Sequence, residues 1–229
     1  MNTFIQESIY IGVLITIGSY GIGIWFKKIT GWTIANPLLI STILVMLFLA
    51  FSGMSYETYT QGSSMISYLL TPATICLAVP MYEQMEHLRK NSKAVVIGIT
   101  TGVIASTLSI LAFVVIFNLE YQDFVTLMPK SITTAIGMDL SKELGGNTPV
   151  TIMAIIITGI TGNVIAEKFL KFIGVTNPVA KGIAIGSSSH VIGTSKAMEM
   201  GATEGAMSSI AIVTSGIITV LVASIIPFI

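Results

Sequence analysis

The chain has 229 residues, of which 53% are hydrophobic and only 10% are charged, and its mean hydropathy is +0.87. A soluble domain usually carries about 25% charged residues, so this composition indicates an all-α integral membrane protein. The formal net charge is zero, which gives no sign of nucleic-acid binding. The single cysteine, Cys76, excludes an internal disulfide.

Six apolar stretches are long enough to cross a bilayer of about 30 Å as helices. Transmembrane helices are predicted at about residues 9–26, 34–54, 64–82, 94–117, 150–166 and 205–228. The connecting segments are short, so residues 1–229 are expected to form a single polytopic membrane domain. Two asparagine–proline pairs, Asn36–Pro37 and Asn177–Pro178, are typical of helix starts.

Two further segments, residues 124–146 and 177–201, are as long as a span but carry charges and hydroxyl groups. Basic residues favour the cytoplasmic side of a membrane. Lys168 and Lys171 lie on that side only if residues 124–146 enter from outside and return outside. By the same reasoning residues 177–201 enter from the cytoplasm and return there. We therefore predict two re-entrant or broken-helix hairpins in addition to the six spans.

Weak internal similarity supports this topology. Ser131–Gly137 resembles Ser187–Gly193, and Met128–Asp139 resembles Thr71–Tyr82, both at a spacing of about 57 residues. Either match could arise by chance in so apolar a chain. Taken with the charge distribution, they suggest an inverted repeat, which is a recurrent plan of secondary transporters.

Helix breaks are predicted at Pro72, Pro80, Pro129 and Gly186. Proline removes a helical hydrogen bond and clashes with the preceding turn, and glycine weakens a helix. A break frees backbone N–H groups that attract an anion. Backbone that leaves helical geometry at membrane depth is tolerated only inside protein or along a water-filled cavity.

Two polar clusters coincide with the two hairpins. The sequence predicts that they meet near the middle of the membrane and bind one small anion. The predicted binding residues are Lys130, Ser131, Thr133 and Thr134 in the first hairpin, and Ser188, Ser189, His190, Gly193, Thr194 and Lys196 in the second.

The predicted roles follow from the side-chain chemistry. The lysines would attract a carboxylate and the hydroxyl groups would bond to it, while His190 would bond to it or carry a coupled proton. Simpler alternatives stay open, because a lone hydroxyl often bonds to its own helix and a lysine can extend to the membrane surface. His190 could equally be a buried histidine with a satisfied hydrogen bond. No catalytic residue, metal site or cofactor is predicted.

Four stretches of the sequence resemble a known family. They are "TPATICLAVPMYEQ", "LMPKSITTAIGMDLSKELGG", "NPVAKGIAIGSSSHVIGTSKAMEMG" and "EGAMSSIAIV", and they are similar to signatures of the LrgB/CidB family in the same order. The resemblance covers nearly the whole chain from "NPLLIS" onward. The segments "PKSITTAIG" and "ELGG" are closer to the CidB branch, because a glutamine would be expected after the proline in LrgB proper.

The resemblance implies a multi-pass protein of the bacterial inner (plasma) membrane that works with a small LrgA/CidA-type membrane protein in a homo- or hetero-oligomer. Family members are described as holin- or antiholin-like regulators of murein hydrolase activity, autolysis and cell lysis. A related plastid translocator exports glycolate and glycerate, and some bacterial members are linked to pyruvate uptake. We expect a non-enzymatic transporter of a small monocarboxylate or hydroxycarboxylate such as pyruvate, lactate or glycolate, with proton coupling as an option. The alternative is a holin-like or antiholin-like regulator of lysis.

Overall fold

The computed structural model describes residues 10–31, 35–69 and 85–225, together with the single positions 72, 75, 76, 79 and 82. Every described element is a helix. The chain divides into two compact units, Met1–Cys76 and Leu77–Ile229, and each unit is described by itself.

The first unit contains three described helices, which we label α1 (Ile11–Thr30), α2 (Pro37–Ser52) and α3 (Tyr56–Tyr68). The side chain of Asn36 accepts a hydrogen bond from the amide of Leu38 and so caps α2, as the asparagine–proline pair predicts. Helix α1 packs against both other helices. The close approach uses Gly12, where a Cβ atom would collide with the backbone of Gly62.

The second unit is built around three long helices: α4 (Met85–Ile116), α7 (Thr148–Phe172) and α9 (Ala202–Ile225). Each contains a stretch that is long and apolar enough to cross a membrane: Ser92–Ile116, Thr148–Phe172 and Ala202–Ile225. They are the only such stretches among the described residues. They coincide with the predicted spans at 94–117, 150–166 and 205–228.

Of the other three predicted spans, residues 9–26 coincide with α1, and residues 34–54 with α2, a shorter apolar helix of 16 residues. The stretch 64–82 falls mostly outside the described residues.

Residues 121–143 form a helical hairpin, which we call the first hairpin. It consists of α5 (Tyr121–Leu127), a 3-10 turn (Met128–Ser131) and α6 (Thr134–Glu143). The two limbs approach each other, because the hydroxyl group of Thr151 contacts both the Thr126 carbonyl of α5 and the Ser141 hydroxyl of α6. At the open end of the hairpin, the side chain of Gln122 donates to the Gly145 carbonyl at 3.2 Å.

Residues Pro178–Met200 form α8, which we call the second hairpin. Its helix is interrupted at Ser189 and His190, which have non-helical backbone angles. The chain then turns back along itself, since Gly193 lies against Ile185. Asn177 caps the helix through the amide of Ala180, again as the asparagine–proline pair predicts.

The two hairpins contact opposite halves of α7. Thr151, near the start of α7, donates to the Thr126 carbonyl of the first hairpin at 2.9 Å. Near the end of α7, Leu170 packs in one apolar cluster with Ile185 and Ala197 of the second hairpin. We therefore refer to the Thr148 end and the Phe172 end of the second unit, and each hairpin has its open end at one of them.

Helices α4 and α9 confirm this division of the unit. At the Thr148 end the first hairpin packs in a cluster comprising Ile110, Val114, Phe124, Val125, Met128, Ile132, Leu140 and Ala223. At the Phe172 end the second hairpin contributes to a cluster comprising Val95, Ile99, Ile183, Ala206, Met207, Ile210 and Ala211. The tips of both hairpins consequently lie near the middle of all three long helices.

Candidate functional site

The tip of the first hairpin presents one cation and one hydroxyl group to α4. The backbone leaves helical geometry at Ile132 and Thr133, directly after the 3-10 turn that contains Pro129. The Lys130 ammonium group lies 3.1 Å from the Ser131 hydroxyl and 3.3 Å from the Ser106 hydroxyl of α4. Its partners in the described part of the chain are hydroxyl groups rather than carboxylates. A cation held only by neutral groups favours an incoming anion.

The tip of the second hairpin carries consecutive serines. The hydroxyl groups of Ser188 and Ser189 lie 3.0 Å apart, and the hydroxyl of Ser187 donates to the Ile183 carbonyl at 2.7 Å. Ser187 also contacts α4, because a Cβ atom at Gly102 would lie 3.2 Å from its hydroxyl oxygen. Gly102 precedes Ser106 by one helical turn, so the two tips contact neighbouring turns of α4.

A cavity of about 1430 Å³ lies between α4, α7 and the second hairpin, and both tips line it. Its polar lining includes Thr101, Ser106, Ser131, Ser187, Ser188 and Ser189. Among the described residues, Lys130 is the only charged one in the lining. The rest of the wall is mainly apolar, with Ile157, Ile165 and Phe169 on α7. An apolar cavity with a few convergent polar groups is the usual form of a site for a small molecule.

The structure brings together four of the predicted binding residues at this cavity: Lys130, Ser131, Ser188 and Ser189. Thr133 and Thr134 lie at the start of α6 and are not part of the cavity lining. Gly193 is also outside it and serves the close packing of the two limbs of the second hairpin.

His190 and Thr194 belong to a buried hydrogen-bond network behind the cavity wall. The His190 ring donates through Nε2 to the Ile155 carbonyl of α7 at 2.9 Å. The Thr194 hydroxyl donates to the His190 carbonyl at 2.9 Å and lies 2.7 Å from the Ser208 hydroxyl of α9. This network joins the second hairpin to both α7 and α9.

Lys196 lies away from the tips, at the Phe172 end. Its ammonium group forms ion pairs with Glu167 at 2.8 Å and Glu199 at 3.3 Å. The three side chains line a separate pocket of about 500 Å³. The structure therefore places the two predicted anion-binding lysines in different surroundings, and Lys130 alone reaches the larger cavity.

The predicted helix breaks are placed as follows. Pro129 lies in the 3-10 turn between α5 and α6, so this break coincides with the prediction. Gly186 lies in a helical stretch and packs against the Ser208 backbone, and the break in α8 comes three residues later, at Ser189 and His190. Pro80 lies outside the described residues, and Pro72 is one of the single described positions.

Sequence reasoning missed the contribution of α4. Ser106, Gly102 and Ser109 occur at intervals of four and three residues on an otherwise apolar helix, and all line the cavity. This spacing places small and polar groups on one helix face and was a usable signal. Within the described residues, no three histidine, cysteine, aspartate or glutamate side chains lie close enough to hold a metal ion.

Comparisons with known proteins give both a family match and a similar protein. A family model described as "LrgB-like family" matches residues 16–228. The chain is 36% identical over 214 residues to the "Antiholin-like protein LrgB" of Bacillus subtilis (strain 168), an alignment that covers 93% of each chain. No solved structure matches the chain.

Proposed function

The chain belongs to the LrgB-like family of membrane proteins, and we propose that it transports a small monocarboxylate or hydroxycarboxylate across the bacterial inner membrane. The observation behind this proposal is the cavity between the hairpin tips, in which Lys130 is the one charged residue that the described part of the chain contributes to the lining. Pyruvate, lactate and glycolate are the proposed class of substrate.

The proposed topology has six membrane spans and two re-entrant hairpins in an inverted repeat. The first hairpin begins and ends at the Thr148 end, and the helix that follows it, α7, runs away from that end. The second hairpin and α9 repeat this arrangement from the Phe172 end. Each hairpin begins and ends at the same end of the three apolar helices, and the two hairpins use opposite ends. Each hairpin would therefore enter the bilayer and return to the side from which it entered.

The charge distribution gives the orientation. Basic residues cluster at the Phe172 end, where α4 begins and α7 ends: Arg89, Lys90, Lys93, Lys168, Lys171, Lys181 and Lys196. The segments at the Thr148 end carry Glu120, Asp123 and Glu143 with the single exposed lysine Lys142. By the positive-inside rule, this distribution supports a cytoplasmic position for the Phe172 end.

The chemistry of the cavity favours a single carboxylate. One negative charge would be neutralised by Lys130, whereas a second charge would remain unpaired among apolar side chains at high cost. Ser106 and Ser131, both within 3.3 Å of the ammonium group, could donate to the carboxylate oxygens. The hydroxyl groups of Ser188 and Ser189 at the other tip suit a keto or hydroxyl substituent on the same small molecule. Coupling to protons is part of the proposal and would appear as dependence of uptake on an imposed pH gradient.

A second candidate function is regulation of murein hydrolase activity and lysis together with an LrgA/CidA-type protein. The observation that favours it is the name of the similar Bacillus subtilis protein, which is antiholin-like. The two functions differ in what they require. A transporter needs the Lys130 cavity, whereas a lesion-forming or regulatory oligomer needs association surfaces and no preorganised anion site.

The deciding experiment is uptake of labelled pyruvate, lactate or glycolate into proteoliposomes, with and without the LrgA/CidA-type partner. We expect uptake by the wild-type protein and a loss of about tenfold or more in Lys130→Ala. Lys142→Ala is the matched control, because it removes an exposed lysine outside the cavity. Absence of uptake in every combination would refute transport, and equal uptake by Lys130→Ala and wild type would refute the site.

A further inference from the structure

The ring of His190 does not face the cavity that the neighbouring serines line. Ser187, Ser188 and Ser189 are all part of the cavity wall, whereas His190 is 2% exposed and is absent from it. Its Nε2 atom donates to the Ile155 carbonyl, which lies in the first half of α7. In this geometry the imidazole of His190 therefore does not contact a solute in the cavity directly.

The tip of the second hairpin packs against two glycines of α7. A Cβ atom at Gly159 would meet Cε1 of the His190 ring at 2.5 Å and Nε2 at 2.7 Å. A Cβ atom at Gly162 would collide with the side chain of Ser189. Glycines in membrane helices often let two backbones approach each other, but here they admit the side chains of the hairpin tip.

The backbone of His190 is strained. Its φ of 41° and ψ of −144° lie in a region that glycine adopts readily and that other residues rarely adopt. Local backbone preference thus favours glycine at this position, and the strain must be offset by contacts of the side chain. The hydrogen bond to Ile155 and the packing on Gly159 are the contacts that the structure shows.

We propose that His190 is a positioning residue: its ring anchors the tip of the second hairpin to α7 and thereby holds the Ser187–Ser189 hydroxyl groups in the cavity wall. The His190 carbonyl extends the anchor, since it accepts from Thr194, whose hydroxyl contacts Ser208 of α9. The uptake experiment below rests on the proposed transport function. The anchoring of the hairpin tip by His190 can be tested without transport.

The first test measures the position of the tip. In a Cys76→Ser background, Ser189→Cys supplies a single thiol at the tip in place of a side chain that is 4% exposed, and its reaction rate with a water-soluble maleimide is measured on purified protein. Adding His190→Ala is expected to raise that rate by about fivefold or more, because a freed tip opens more often. Adding His190→Gln is expected to leave the rate near the parent value, since the glutamine amide can donate to Ile155 from a similar position.

Gly159→Ala provides an independent variant that leaves His190 in place. The added methyl group occupies the space of the ring, so we expect the same rise in labelling as for His190→Ala. A labelling rate that does not rise in His190→Ala, or that rises equally in His190→Gln, would overturn the proposal. These outcomes do not depend on whether the protein transports anything.

The second test separates positioning from proton transfer. With serine at position 189 restored, His190→Gln should retain most of the wild-type uptake and the same dependence on pH, although glutamine cannot titrate. His190→Ala should lose about tenfold through weaker apparent affinity. Loss of uptake or a flattened pH profile in His190→Gln would assign the imidazole a protonation role and contradict the proposal. If the wild-type protein shows no uptake at all, the transport proposal fails and the labelling test still decides the role of His190.

Discussion

Gly193 lies against Ile185, eight residues earlier in the same helical segment. A Cβ atom at Gly193 would come within 3.1 Å of Cγ2 of Ile185, whereas a straight helix would hold the two residues about 12 Å apart. The same reversal is visible on α9, where Gly186 and Thr194 both contact Ser208. This contact defines the second hairpin more directly than the interruption of its helix.

The first prediction concerns this reversal. Gly193→Ala should destabilise the protein by about 1–3 kcal/mol, because the added methyl group has no space between Ser189 and Ile185. Thermal unfolding in detergent measures the effect. Gly18→Ala is the matched control, since nothing lies within 4 Å of a Cβ atom at that position in α1. Equal stability of the two variants would show that the limbs of the second hairpin are not tightly packed.

A second prediction concerns the hydroxyl group of Thr151, which holds the first hairpin to α7. It donates to the Thr126 carbonyl and lies 2.7 Å from the Ser141 hydroxyl. Thr151→Val keeps the volume and leaves these buried partners unsatisfied, so the free energy of unfolding should fall by about 1–3 kcal/mol. Thr42→Val removes an exposed hydroxyl that bonds only within α2 and should change little. A smaller loss for Thr151→Val than for Thr42→Val would contradict this account.

Ser106 gives a third prediction, about affinity. Its hydroxyl lies 3.3 Å from both the Lys130 ammonium group and the Ser131 hydroxyl. Ser106→Ala removes one donor near the proposed carboxylate and should raise the KM for uptake by about tenfold with a smaller change in the maximal rate. Ser224→Ala, an exposed serine of α9 outside the cavity, serves as the control. An unchanged KM in Ser106→Ala would show that α4 does not contribute to the binding site.

The fourth prediction tests the topology by cysteine labelling in a Cys76→Ser background. Phe172→Cys should react with a membrane-impermeant maleimide only from the cytoplasm, and Glu143→Cys only from outside, because both side chains are exposed at opposite ends of the second unit. Labelling of Glu143→Cys only from the cytoplasm and of Phe172→Cys only from outside would mean that residues 124–146 cross the membrane instead of returning to the side from which they enter.

Much of the second unit could be predicted from hydropathy, because α4, α7 and α9 are long apolar runs with clear boundaries. The position of the break in α8 could not be predicted from the sequence. Glycine suggested Gly186, yet that glycine is helical and is needed for close packing on Ser208, while the chain turns at a histidine whose ring is anchored elsewhere. Tertiary contacts overrode local backbone preference there, and a single sequence does not display such contacts.

Part of the candidate site could be predicted from the chemistry of its side chains, and part depends on tertiary contacts. Charge and hydroxyl content identified Lys130, Ser131, Ser188 and Ser189, which do meet at one cavity. Lys196 has the same side chain as Lys130, but its position at the Phe172 end gives it the carboxylate partners Glu167 and Glu199 instead. The Glu199 partner lies only three residues from Lys196 and was visible in the sequence, whereas the Glu167 partner is distant in sequence and could not be predicted from it.

The 3.3 Å contact between Lys130 and Ser106 has a mechanical consequence for the proposed transport. The ammonium group lies on the hairpin whose open end is at the Thr148 end of the second unit, and the hydroxyl groups of Ser187–Ser189 lie on the hairpin whose open end is at the Phe172 end. A shift of either hairpin along the helices would separate Lys130 from the serine hydroxyl groups that would bind the same anion. Release would then need no chemical change in the solute, only a small separation of its two sets of ligands.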